Sequence, residues 1–456
     1  MGFVDRVREL AAIRKRFAGA SSLSLLYGQR RTGKSALLRE ALRARPRSLF
    51  FQADESPIAA QAKRFCEEAG ELLPAGVSAS DWSTVLTLFV QQAALAGGST
   101  YLVLDEAQYL FEADPSLASV IQRITDQHAE RAGLHLVLCG SALMAMGRLG
   151  DESQPLHGRF DLRLKLEPFG YREAALFVPG YSPADALRVY GVFGGLARHL
   201  AAIDGSVSFA ENVAAELLDP MSALAEAPLD LLRTERVSSR SEADAVLESL
   251  ALGENQFNQI AARCGLTAQR LDLVLKELIQ LDLVRRVARF GDEGTRGYSR
   301  YRTTDPLTAF WFRLVRPARQ AVWTLGPAGT FAARIEPRLD DHLGPIFEQV
   351  VRQAFEGGHL GLAVEEIAPY WTRDGKTDID LAIRSGEETW LVECKWRRSQ
   401  PADLDVLRQL RDHATRAPGG REARLAIVCP TGFTDTLVQV ADAEGVRLID
   451  AAELFA

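Results

Sequence analysis

The sequence has no apolar run of membrane-spanning length, and its first residues, Met-Gly-Phe-Val-Asp-Arg, contain no apolar leader. A membrane partner is therefore not expected. Cysteine is sparse: Cys66, Cys139, Cys264, Cys394 and Cys429 stand far apart, with no Cys-x-x-Cys pair and no neighbouring histidine cluster. That spacing excludes a zinc site and predicts thiols kept reduced in a cytoplasmic protein. Positive charge is not in excess either. With 53 Lys and Arg against 60 Asp and Glu, the net charge is −7, which excludes a cationic body coating nucleic acid but not a local basic patch. The 47% hydrophobic and 25% charged residues exclude a disordered chain. A length of 456 residues predicts about three domains.

What is present is organised around residues 22–35. Leu23 to Tyr27 is a short apolar strand, and Gly28-x-x-x-x-Gly33-Lys34-Ser35 fits the phosphate-loop pattern at every fixed position. Leu37, Leu38, Ala41 and Leu42 then recur at helical spacing. Between a strand and a helix, the backbone N–H groups of Gly28, Arg31, Thr32, Gly33 and Ala36 can curl round phosphates. Lys34 adds a point charge, and the Ser35 hydroxyl is placed for Mg²⁺. The ligand predicted is ATP with Mg²⁺.

A strand at Leu49–Phe51, a second at Tyr101–Asp105 and a third at Leu134–Gly140 alternate with helical stretches. This predicts an α/β fold with a parallel sheet over residues 1–170, preceded by an amphipathic helix over residues 3–17. The run Tyr101-Leu-Val-Leu ends in Asp105 and Glu106 about 70 residues after the loop. Asp105 is expected to anchor Mg²⁺ and Glu106 to polarise the attacking water. Ser141 closes the third strand, where it can sense a γ-phosphate. Arg159 is either an arginine finger or a solvated charge, with Arg148 and Arg163 nearby.

The motifs Phe3-x-x-Arg6-x-x-Glu9-Leu10, Tyr27 to Ser35, Leu104-Asp-Glu-Ala-Gln108, Gly140-Ser141 and Gly158-Arg159 resemble the archaeal-type ATPase family, a branch of AAA+/STAND P-loop ATPases. The resemblance implies an adenine nucleotide, Phe3 and Arg6 near its base or the lid, and Ser141 as sensor 1. Residues 171–240 then read as a helical lid and connector. Here the family usually carries Gly-Gly-x-Pro, whereas this chain has Gly194-Gly195-Leu-Ala197, followed by Arg198 as a candidate phosphate sensor.

Residues 241–312 change period. A helix at Asp244–Leu252, another around Phe257–Ala261, a Cys264-Gly265-Leu266 turn and a Thr267-capped helix precede two alternating strands, Val284–Phe290 and Tyr298–Arg302. This is a winged-helix pattern. As a DNA reader, it would place Gln269 and Arg270 in the major groove and Arg285, Arg286, Arg289, Arg300 and Arg302 on phosphates. As a packing module, it would only connect its neighbours. Pro317, Pro327 and Pro337 mark residues 313–340 as a linker.

Residues 341–456 read as a helix (Asp341–Phe355), three strands, a helix (Leu404–His413) and two further strands. Asp378 and Asp380 share one strand face, as do Glu393 and Lys395 on the next strand. The order resembles the PD-(D/E)XK nuclease superfamily, a restriction-endonuclease-like α/β fold. Asp380 and Glu393 would hold a catalytic Mg²⁺, Lys395 would steady the attacking water, and the resemblance implies Glu348 as an accessory metal ligand. The expected function is thus an ATPase gating a metal-dependent nuclease that acts on DNA, either as a homo-oligomer or with a partner protein. The alternative is a nucleotide-switched regulator or scaffold whose nuclease fold only binds.

Overall fold

The computed structural model describes residues 3–234, 237–292, 299–372 and 374–456. The chain forms two compact units, residues 1–168 with 196–198 and residues 169–195 with 199–456. No helix among the described residues is long and apolar enough to cross a membrane. All five cysteines are free thiols.

The first unit is built on a parallel sheet of β1 (Ser22–Tyr27), β2 (Ser48–Gln52), β3 (Thr100–Asp105), β4 (Leu134–Gly140) and β5 (Leu162–Lys165). The strand order is β2-β3-β4-β1-β5. Successive residues of a strand face opposite ways, and here both faces are covered. Leu102 and Leu104 enter one apolar cluster with Phe51, Phe65 and Trp82. Tyr101 and Val103 enter another with Ile13, Phe17, Leu37 and Leu38. That two-sided burial explains why β3 and β4 read as continuous apolar runs. The first helix covers Val7–Phe17 rather than starting at residue 3. Asp5 and Arg6 take left-handed backbone angles, φ 52° and 64°, which end helical propagation before Val7.

In the second unit, helices Arg240–Ala251, Phe257–Cys264 and Ala268–Gln280 precede β6 (Val284–Val287) and β7 (Arg300–Thr303). β6 and β7 form an antiparallel pair with Arg285 opposite Arg302 and Val287 opposite Arg300. The expected start of the second wing strand at Tyr298 lies outside the described residues. The stretch expected to be a linker is helical instead. Arg316–Thr330 and Glu336–Glu356 are helices joined through Phe331–Ile335. Pro317 and Pro337 each enter just after a π-helical turn, Trp311–Val315 and Phe331–Ile335, so the backbone is already helical where they stand. Pro327 follows a kink at Gly326, φ 67°.

The C-terminal sheet contains β8 (Glu366–Trp371), β9 (Asp378–Ser385), β10 (Glu388–Cys394), β11 (Arg424–Val428) and β12 (Arg447–Ile449). β8, β9 and β10 run antiparallel, and β11 and β12 then add in parallel. Helix Leu404–Ala414 buries Val406, Leu407 and Leu410 with Ile379, Leu391 and Ile427 of the sheet. The long helix Glu336–Glu356 packs against β9 and β10. Two closing helices, Asp435–Glu444 and Ala451–Phe455, were not evident from periodicity alone.

Buried histidines give the fold a defined acid limit. His342, whose Nε2 lies 3.0 Å from the Gly191 carbonyl oxygen, is pushed down from 6.5 to about 4 by burial. Burial and then the Arg45 charge likewise lower His135, in the first unit, to about 4. The unfolded chain binds protons at 6.5 that the folded chain refuses, so stability is complete above pH 6.5 and falls between pH 6.5 and 4. Each site contributes up to about 3 kcal/mol. Thermal unfolding across this range should show the loss, and His342→Gln should flatten it for the second unit; an unchanged slope disproves the assignment.

Candidate functional site

The loop after β1 is shaped by close backbone packing. A Cβ on Gly28 would stand 2.4 Å from the Leu166 carbonyl oxygen, so only glycine fits. Arg31 and Gly33 take left-handed angles, φ 71° and 97°, that turn the chain into helix Lys34–Leu42. Thr32 is fully buried, and Ala36 lies exposed in the first helical turn. The Lys34 ammonium donates to the carbonyl oxygens of Gly28 (2.9 Å) and Gln29 (2.8 Å). Burial lowers the Lys34 pKa, although Glu106 and Asp105 pull the other way.

Ser35 Oγ donates to Asp105 Oδ2 at 2.7 Å. Two hard oxygen donors at the C-terminal end of a parallel sheet suit Mg²⁺. Glu106, at φ 51°, turns its carboxylate toward Ser141 rather than along the strand. Its Oε2 accepts from Ser141 Oγ at 2.6 Å and from Gln108 Nε2 at 2.6 Å. Burial opposes the Glu106 charge, yet these two hydrogen bonds and the Lys34 and Arg30 charges hold its carboxyl below the ordinary value. The carboxylate is therefore ionised and oriented at neutral pH.

Other residues meet the loop from its flanks. Arg6 donates through Nη2 to the carbonyl oxygens of Thr32 (3.3 Å) and Glu167 (2.7 Å), bracing the loop from outside. Only the family motif pointed to it. Arg198 reaches the loop through its backbone, its N–H donating to Arg31 O at 3.3 Å, and a Cβ on Gly33 would touch Ala197 at 3.4 Å. Arg159 is not brought to this loop. Its guanidinium holds Asp126 at 2.9 Å, and the nearby Asp161 backbone N–H pairs with Leu23, at the opposite end of β1 from Gly28.

Residues 3–203 match the family model of an ATPase domain predominantly from Archaea. The N-terminal part of the chain is therefore similar to archaeal-type P-loop ATPase domains. A Walker-type ATPase of Pyrococcus abyssi has the same fold, at TM-score 0.50 and 19% identity, covering 68% of this chain and 96% of that one. The Aeropyrum pernix ORC2 protein aligns at TM-score 0.46 and 15% identity, over 71% and 96% of the two chains. An uncharacterized protein of Methanocaldococcus jannaschii is 24% identical over 417 residues, 90% of each chain. Residues 311–406 match a family described as archaeal and bacterial proteins of unknown function.

Beyond the ATPase domain, the second unit gathers the other predicted site residues. The Cys394 backbone N–H donates to Asp380 Oδ2 at 2.7 Å, drawing that carboxylate to the end of β10. Lys395 pairs with Glu393 at 2.6 Å. Trp396 donates to Asp340 at 2.9 Å and packs edge-on to Phe347, tying the long helix, and Glu348 with it, to the end of β10. Burial, then the Glu348 and Glu393 charges, push the Asp380 pKa well above the ordinary carboxylate range. Burial also raises Glu348, offset in part by Arg302.

Arg302 holds Glu348 at 2.7 Å, and Arg300 holds Asp378 at 3.1 Å. Arg285 is pushed down to about 10 by burial and the Arg352 and Arg302 charges. Arg289 donates to the Trp371 carbonyl oxygen, and Arg270 pairs with Glu242 at 2.5 Å. Where phosphate contacts were expected, Arg289 and Arg300 meet the C-terminal sheet and Arg302 meets the long helix of the same chain. Arg286 and Gln269 stay exposed. Equal spacing of Arg300 and Arg302 on one strand face was the available signal; their carboxylate partners were not. Among the described residues, no group of three acidic, histidine or cysteine side chains is arranged to hold a metal. As they stand, Glu348, Asp380 and Glu393 do not form one.

The Gly28 contact gives a direct test. Gly28→Ala should force the loop away from Leu166, weaken ATP binding at least tenfold and cost about 1–3 kcal/mol of stability. Calorimetric titration and thermal melts measure both, and unchanged affinity disproves the packing argument.

Proposed function

We propose that the protein binds and hydrolyses ATP at the phosphate loop. The observation that carries this reading is the Ser35–Asp105 hydrogen bond at 2.7 Å, beside a Glu106 carboxylate held by Ser141. Gly28, Arg31, Thr32, Gly33 and Ala36 line the phosphates with backbone N–H groups, and Lys34 turns from its carbonyl partners to them. Ser35 and Asp105 hold Mg²⁺, which when bound offsets the charge developing on the phosphate oxygens. Glu106 orients the attacking water and takes its proton, while Ser141 and Gln108 fix the carboxylate. Lys34→Ala should weaken ATP binding, and Glu106→Gln should preserve binding while lowering turnover by about 10²-fold or more. Full turnover in the Glu106 variant, measured by phosphate release, disproves the assignment.

For the second unit, we propose a winged-helix module at 241–312 and a nuclease-type module at 341–456 that acts on DNA. Support comes from the β8–β12 sheet, from Asp380 drawn to the end of β10, and from Lys395 two residues beyond Glu393. A silent binding fold is the second reading, favoured by the pairing of Glu348 and Glu393 with Arg302 and Lys395. A cleavage panel separates the two. Asp380→Ala or Glu393→Ala should abolish metal-dependent cleavage and spare ATP hydrolysis, and Lys395→Ala should slow cleavage about 10²–10³-fold. Cleavage that survives loss of either carboxylate refutes the nuclease assignment.

A further inference from the structure

β6 and β7 present one face toward the C-terminal carboxylates. Arg285 and Arg302 lie directly opposite each other, with Arg300 two residues along the same face. Two arginines opposed across a strand pair repel one another, so this face is stable only with anions against it. Glu348 and Asp378 supply them, at 2.7 and 3.1 Å. The Arg302 and Glu348 side chains are only 22% and 19% exposed, so water weakens this pair little. Between Arg285, Arg302, Glu348, Arg352 and Asp380 remains a cavity of about 10 Å³, space for one water at most.

The hairpin is also anchored. The Phe290 ring is buried in the core of the C-terminal sheet, and its N–H donates to the Pro369 carbonyl oxygen at 2.9 Å. Departure of the whole hairpin would expose that core. Rotation of an arginine side chain would not.

We propose that Arg302, supported by Arg300, is a tethered cation that occupies the cavity shared by Glu348 and Asp380 and must swing off Glu348 before a divalent cation can bind. The contact is autoinhibitory, and it rests on the nuclease-type reading of Glu348, Asp380 and Glu393. A guanidinium carries one charge and a divalent cation two. The exchange gains attraction for the carboxylates but breaks the Arg302–Glu348 pair, and it proceeds where the released guanidinium finds another anion.

The test is Mn²⁺ binding to the full chain, followed by electron paramagnetic resonance and calorimetry, without reference to cleavage. Arg302→Gln should bind Mn²⁺ about tenfold more tightly than wild type, or better. The gain should vanish when Glu348→Gln is added, because the competition is for that carboxylate. Arg302→Lys keeps the charge without the fork and should give a smaller gain, which serves should Arg302→Gln fail to fold. Equal Mn²⁺ affinity in wild type and both Arg302 variants overturns the inference and leaves the metal site standing. A gain that persists in the Glu348→Gln background also overturns it. No Mn²⁺ binding at millimolar concentration in any variant overturns both the inference and the nuclease-type reading.

Discussion

A charge taken out of water must meet a partner, and both candidate sites are arranged by that constraint. In the first unit, the buried Lys34 ammonium is received by two loop carbonyls, Asp105 by the Ser35 hydroxyl, and Glu106 by Ser141 and Gln108. In the second, Glu348 is received by Arg302, Glu393 by Lys395 and Asp380 by the Cys394 N–H. The partners differ in kind. Hydroxyl, amide and carbonyl groups orient an ion without cancelling its charge, as Ser141 and Gln108 do for Glu106. Full cations cancel it, and they leave Glu348 and Glu393 engaged.

The first unit was legible because its signals are local. A phosphate loop is specified by residues a few positions apart, and a doubly covered parallel strand by an unbroken apolar run. Tyr101 to Asp105 showed its strand, its two-sided burial and its terminal acid in one stretch. Arg159 shows where local reading stopped. Its neighbourhood suggested a finger, but the pairing of Asp161 with Leu23 set it at the far end of β1. Strand polarity, which decides that, is a property of the whole sheet.

The second unit was legible in its elements and less so in its partners. The alternation in Thr377–Ile383 and Thr389–Trp396 gave β9 and β10 and placed Asp380 and Glu393 near the same sheet end. Prolines misled at residues 313–340, because a proline does not by itself end a helix: Pro345 lies inside Glu336–Glu356. Pro317 and Pro337 each follow just after a π-helical turn, Trp311–Val315 and Phe331–Ile335. The anchoring of the long helix by Trp396 on Phe347 and Asp340 depends on side chains at least 49 positions apart, and no periodicity reports such a pairing.

The arginines of β6 and β7 carry the most general lesson. Read along the chain, a strand face bearing Arg285, Arg300 and Arg302 suggests contact with a phosphate backbone. In the structure, the anions against it are carboxylates of the same chain. The two readings share their physics, since the planar guanidinium fork fits a carboxylate and a phosphate in the same way. A row of arginines therefore suits an oxyanion of either kind, and for Arg300 and Arg302 the fold determines which one. Here Phe290 and the Pro369 carbonyl fix the hairpin against β8, so Glu348 and Asp378 are the oxyanions within reach.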